Sequence, residues 1–179
     1  MSVLDELKQQ LGAEEVQQIS QQVGADPAAT QAAIQAALPM MLGGVASAAQ
    51  QPGGAGAVQE AMQTHRGFLG GLSDLLGAGI PADGGGLLGR ILGRHQGTVQ
   101  TGVQQASGLD PDQTKRLLLA LAPIVMAMLA KRHANTKENE LAPALQQEAQ
   151  AAHEQASRTS PHVGGLLGKI LQQVQTPPA

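Results

Sequence analysis

Gly84, Gly86 and Gly89 spell G-x-G-x-x-G, the spacing with which a glycine-rich turn brings backbone amides to a dinucleotide pyrophosphate. That chemistry needs a strand before the turn and a helix after it. Here the Pro/Gly-rich stretch "GAGIPADGGG" precedes it, and runs of β-branched and aromatic residues are missing from the chain, so the match is rejected. "GGLLGK" at 164–169 resembles the second half of a phosphate-binding loop, but the first glycine is missing and Ile170 stands where a hydroxyl would hold the metal. The five histidines, at 65, 95, 133, 153 and 162, include no i,i+4 pair and no His-Glu-x-x-His. Three adjoin arginine, as in His65–Arg66, Arg94–His95 and Arg132–His133, which disfavours a bound cation. They read as helix-end or solvent histidines. No Ser-His-Asp set or paired carboxylates can be picked out. The absence of cysteine removes disulfides, thiolate metal sites and cysteine nucleophiles. The expectation is a protein that is not an enzyme, with no catalytic residue, cofactor or metal.

Charge offers more. Residues 1–89 carry two basic and eight acidic side chains (−6), residues 90–137 seven and two (+5), and residues 138–179 two and four (−2). The basic centre, Arg90, Arg94, Lys115, Arg116, Lys131, Arg132 and Lys137, suits phosphate, an acidic protein surface, or the chain's own acidic first half. The last would also allow head-to-tail self-association. Against nucleic acid stand the net charge of −3, a single aromatic residue (Phe68) for stacking, and a leucine-rich helix where polar base readers would be needed.

The elements that carry these residues are helices. Hydrophobic residues make up 42% of the 179, supplied almost wholly by Ala, Leu, Val, Ile and Met, which suits closely approaching helices and makes the fold all-α. The chain also repeats itself. "GADPAATQAAIQAALPMML" (24–42) aligns without gaps to "GLDPDQTKRLLLALAPIVM" (108–126), matching Gly24, Asp26, Pro27, Thr30, Ala36 and Pro39 to Gly108, Asp110, Pro111, Thr114, Ala120 and Pro123. "QEAMQTH" (59–65) echoes "QEAQAAH" (147–153), and "GGLLGRIL" (85–92) echoes "GGLLGKIL" (164–171). Three blocks in one order, twice, predict tandem halves at 1–93 and 94–179 that share one core as a single domain.

In each half Gly24 or Gly108 ends an amphipathic helix as a left-handed cap. Asp26 or Asp110 then caps the next helix, with Pro27 or Pro111 at its first position. Gln113 completes a capping box with Asp110. Pro39 and Pro123 sit inside the second helix of each half, and their clash with the carbonyls of Gln35 and Leu119 predicts a bend or a restart. The first copy is alanine-rich and the second leucine-rich, so the two helices are expected to pack on each other across a pseudo-two-fold axis. "QQPGGAGA" (51–58) and "LLGAGIPADGGG" (75–86) read as flexible links, "TSP" (159–161) and the C-terminal tail as loose, and "NTKENELAPALQQEAQAAHEQASR" (135–158) as an exposed helix.

The most apolar stretch, Leu117 to Ala130, has 14 uninterrupted apolar residues between Lys115–Arg116 and Lys131–Arg132. A membrane span needs about 20, so a buried core helix is expected and no span. The N-terminus lacks a basic region followed by an apolar one, so no signal peptide is expected, and the compartment is read as cytoplasmic.

At "GGLLGRILGRHQ" and "SGLDPDQTKRLLLALAPIVMAMLAKR" the sequence resembles the bacterial domain-of-unknown-function family 937, related to the YidB-like proteins, most strongly over 85–133. The resemblance implies a small cytoplasmic all-helical protein with a homeodomain-like arrangement and no catalytic residues to carry over. The leading functional expectation is a non-enzymatic helical protein acting through protein–protein contacts or self-association. The alternatives are a DNA-associated regulator using the homeodomain-like turn, with the basic centre on phosphates, and a peripheral membrane protein using the Gly/Leu segments 67–76 and 164–171.

Overall fold

Short polar side chains ahead of proline start the two long helices. Asp26 sits in extended backbone (φ −74°, ψ 154°), and its carboxylate accepts from the amides of Ala28 and Ala29 at 3.0 and 3.1 Å. Asp110 accepts from the Gln113 amide at 2.7 Å while the Gln113 side-chain oxygen accepts from the Asp110 amide at 3.2 Å, completing the box. Pro27 and Pro111 take the first helical positions, where the missing N–H is not needed. Gly24 (φ 76°) and Gly108 (φ 75°) end the preceding helices in the left-handed region.

The structure, a computed structural model, describes residues 2–67, 77, 84–159 and 161–175, with the backbone alone at 84, 162 and 173–175. Phe68, the 75–86 segment up to residue 83 (residue 77 apart), and the final four residues lie outside this description. The described residues are helical, with no strand among them. In order they form α1 (Val3–Gln10), α2 (Ala13–Val23), α3 (Pro27–Gln50), α4 (Gly54–Thr64), α5 (Gly84–Leu92), a 3-10 turn (Gly93–His95), α6 (Gln96–Ser107), α7 (Pro111–Arg132), α8 (Glu138–Thr159) and α9 (Pro161–Gln175).

Apolar residues on all sides of α3 and α7 put these two helices at the centre. One hydrophobic cluster runs from Val3 to Ile170 and contains most of the buried apolar side chains of both. The shorter helices surround them: α2, α4 and α5 pack on both long helices, while α6, α8 and α9 lie chiefly on α3. The two long helices also touch each other, as the alanine/leucine contrast leads one to expect, but α3 is covered most extensively by α8 and then by α6. Small residues allow this. A Cβ at Gly44 would stand 2.6 Å from Leu92 Cδ2 and 3.1 Å from the Ile91 carbonyl oxygen, so α5 can sit on α3 only because Gly44 has none.

Both long helices have the length and mean hydropathy (1.4) to cross a membrane, but their most apolar windows are 83% and 78% buried inside the fold, as core helices are.

Several local expectations need correction. Of the bend or restart expected at Pro39 and Pro123, the restart does not occur: both long helices continue through these buried prolines. The 51–58 link shrinks to three residues because α4 begins at Gly54, helped by Gly53 in the left-handed region (φ 72°). Thr159 and Pro161 belong to helices α8 and α9. The 135–158 helix is not exposed throughout: Leu141, Leu145, Ala149, Ala152 and Ala156 recur at helical spacing and are buried, so α8 is amphipathic, with Pro143 accommodated in its second turn.

Candidate functional site

Ser47 is the lone polar side chain in the run Ala36–Ala49 of α3. Once that helix is buried, its hydroxyl must find a partner. It finds the imidazole of His95, Oγ to Nε2 at 3.2 Å, with Ser47 and His95 only 3% and 5% exposed. The 3-10 turn between α5 and α6 delivers His95, and Gly93 at its start has φ 48°. Burial first, and then the neighbouring Arg94 charge, hold the His95 pKa below its ordinary value, so the ring is neutral near pH 7. The pair therefore offers one hydroxyl and one uncharged imidazole.

The pair sits on the wall of a half-open pocket of about 420 Å³. Its other walls are apolar and small: Gly44 and Ala48 of α3, Gly54, Ala57, Val58 and Ala61 of α4, Ile91 and Leu92 of α5, and Met126 of α7. Gln51, Gly93, and Arg90 and Arg94 of the α5–turn segment complete the lining, and no carboxylate is part of it among the described residues. Such a cleft falls within the roughly 300–1,000 Å³ range of small-molecule sites, apolar with a few convergent polar groups.

The profile of DUF937, a bacterial family of unknown function, matches residues 5–132. The chain belongs to that family. The matched region contains every residue that lines the pocket, whereas α8 and α9 lie beyond it. No curated protein and no solved structure matches the chain.

In this DUF937 protein the seven basic residues of the central segment divide into three groups. Arg90 and Arg94 line the pocket. Lys131 and Arg132, at the end of α7, turn to the chain's own carboxylates: Lys131 Nζ lies 3.2 Å from Glu6 Oε1, Arg132 Nη1 3.8 Å from Glu6 Oε2, and Arg132 Nε 2.7 Å from Glu148 Oε1. Glu148 also accepts from the Val3 amide at 3.2 Å, so one carboxylate joins the start of α1 to the end of α7. Lys115 and Arg116 are exposed in the first turns of α7, and Lys137 is exposed in the loop before α8. Asp26, Pro27, Asp110 and Pro111 serve as helix starts, and Pro39 and Pro123 as core residues. Gln113 does more than cap its own helix: its Nε2 donates to the Gly24 carbonyl at 2.7 Å, tying the two Gly-x-Asp-Pro turns together.

Of the helix-end or solvent reading of the histidines, the solvent part fails for His95, which is buried, although it does stand at a helix end, closing the 3-10 turn before α6. His65 does lie at the end of α4, with Nδ1 2.7 Å from the Ala61 carbonyl oxygen. His133 Nε2 and His153 Nδ1 are buried without a hydrogen-bond partner among the described residues. No three His, Asp or Glu side chains converge as a metal site among the described residues. The Ser47–His95 pairing was missed because 48 residues separate the two. The signal that could have found it was Ser47 itself, a single hydroxyl in a run too apolar to be anywhere but the core.

Proposed function

We propose that this protein is a non-enzymatic binding module whose pocket between α3, α4 and the α5–turn segment takes a small, largely apolar guest. One observation carries this reading: a cleft of about 420 Å³ whose walls are mostly Gly, Ala, Val, Ile, Leu and Met, with a buried hydroxyl–imidazole pair to orient what enters. The test uses the absence of Trp and Tyr, which leaves the ultraviolet background low. The neutral dye 1-aminoanthracene is expected to gain emission on mixing with the full chain. Ala57→Phe, placed on an exposed wall residue, should abolish the gain while leaving the far-ultraviolet circular dichroism unchanged. Equal emission from the folded variant and the parent would refute the pocket.

We further infer that the chain is a duplicated helical module, 1–93 and 94–179, related by a pseudo-two-fold axis. The paired left-handed glycine caps, the matching Asp–Pro helix starts and the Gln113–Gly24 tie support this. The deep burial of α3 and α7 supports a protein with both helices in its core rather than across a membrane. It also weighs against the homeodomain-like DNA reader, since the second helix of each turn spends its faces on the core rather than on bases. The apolar side chains Val163, Leu167 and Ile170 of α9 are buried, which weighs against the 164–171 segment lying in a membrane interface.

Contact with another protein or a second copy is a second reading. It is favoured by Lys115, Arg116 and Lys137, exposed and outside any ion pair among the described residues, set against an acidic first half. Light scattering across concentration and salt tests it. A mass that rises with concentration at low salt supports self-association, and a constant monomer mass excludes it.

A further inference from the structure

The pocket has two ends of different chemistry. Its body is aliphatic, and Arg90 and Arg94 line it on the α5–turn side with no carboxylate in the lining among the described residues. Gly93, with φ 48°, interrupts the helix between them, yet Arg90 and Arg94 both line this one pocket, so an anion held there can gain from both guanidiniums. Neither forms an ion pair with any described carboxylate, whereas Lys131 and Arg132 are matched with Glu6 and Glu148. The basic segment has therefore spent one pair of its charges on the fold and left another at a cavity. Beside that pair stand Ser47 and His95, more than nine-tenths buried and hydrogen-bonded to each other. A hydroxyl next to neutral imidazole supplies a polar contact to an oxyanion without a second counter-charge.

We propose that the guest is an amphiphile with an anionic oxygen head on an unbranched apolar tail, the head between Arg90 and Arg94 and the tail along Ala57, Val58, Ile91 and Met126. The shared chemistry is that of an alkyl carboxylate and an alkyl phosphate. The volume of about 420 Å³ lies in the small-molecule range, so single-chain amphiphiles of twelve carbons serve as probes. This inference rests on the pocket being a ligand site and adds the identity of the head.

The experiment is isothermal titration of the full chain with four ligands of one tail length: dodecanoate, dodecyl phosphate, dodecanol and dodecyltrimethylammonium, all below their aggregation concentrations. At least one of the two anions should bind about tenfold or more tighter than the alcohol, with the cation weakest. The tighter anion names the head. In the Arg90→Gln/Arg94→Gln variant that anion's affinity should fall to the alcohol's level while the alcohol's affinity holds. Both arginines are exposed, so the variant should keep its fold, and circular dichroism checks this. Equal binding of alcohol and anions, or an undiminished anion affinity in the variant, overturns the anionic head and leaves the pocket reading standing. Binding of none of the four overturns both.

Discussion

Ser47 in α3 and His95 in the turn before α6 are joined by a 3.2 Å hydrogen bond inside the core edge, and each is the other's means of being buried. Removing one side should cost more than removing both. Ser47→Ala leaves the His95 Nε2 desolvated and unpartnered, at about 1–3 kcal/mol, and the double variant Ser47→Ala/His95→Leu should recover part of that. Urea denaturation followed by circular dichroism gives the double-mutant cycle, and strict additivity would mean that the bond contributes nothing.

Acid should weaken the fold well before its carboxylates titrate. The folded-state pKa of His95 is lowered by burial and then by Arg94; that of His133 is lowered by burial and by Arg132, with Glu148 opposing. Each ring is held neutral in the fold and takes a proton more readily once unfolded, so the unfolded chain binds more protons and stability rises with pH. The loss should begin as pH falls through about 6.5, the unfolded value. Denaturation midpoints measured from pH 7.5 to 5 should fall, and His95→Gln with His133→Gln should flatten the slope. A slope unchanged by both substitutions would assign it elsewhere.

Gly44 is where α5 meets α3. Gly44→Ala would push a methyl against Leu92 and, less forgivingly, the Ile91 backbone carbonyl. The substitution improves helix propensity, yet overpacking should dominate, at a net cost of about 1–3 kcal/mol. A stabilised Gly44→Ala would show that α5 sits farther from α3.

Charge neutralisation at the end of α7 should be uneven. Glu148, 13% exposed, accepts from both Arg132 and the Val3 amide, so Glu148→Gln should cost on the order of 1–3 kcal/mol. Glu6 faces the well-exposed Lys131, and Glu6→Gln should cost no more than about 1 kcal/mol and matter less as salt rises. Equal costs for the two would contradict the geometry.

What was legible in the sequence was local. The Asp–Pro helix starts, the glycine ends and the Gln113 box depend on residues within four positions of one another, and each appears where the residue types demand. The amphipathic character of α8 was harder to read, because its buried face is built from three alanines and two leucines among glutamines and glutamates, a weak contrast. The prolines left a bend and a restart both open, and α3 and α7 continue through them without a restart. The pocket was illegible because its walls come from four helices and a turn, and what defines it is space left by small residues. Even so, Arg90 and Arg94 stood among the basic residues singled out; only the fold separates them from Lys131 and Arg132, which bind the chain's own acids.

The most direct measurement is carbon-13 methyl NMR of the methionines in the full chain. Among the described residues Met126 is the methionine on the pocket wall, whereas Met40, Met41 and Met128 are buried elsewhere in the core. Titration with deuterated dodecanoate should move the Met126 methyl resonance saturably while those of Met40, Met41 and Met128 hold their positions. A Met126 resonance that stays fixed at saturating dodecanoate would contradict a guest in this pocket.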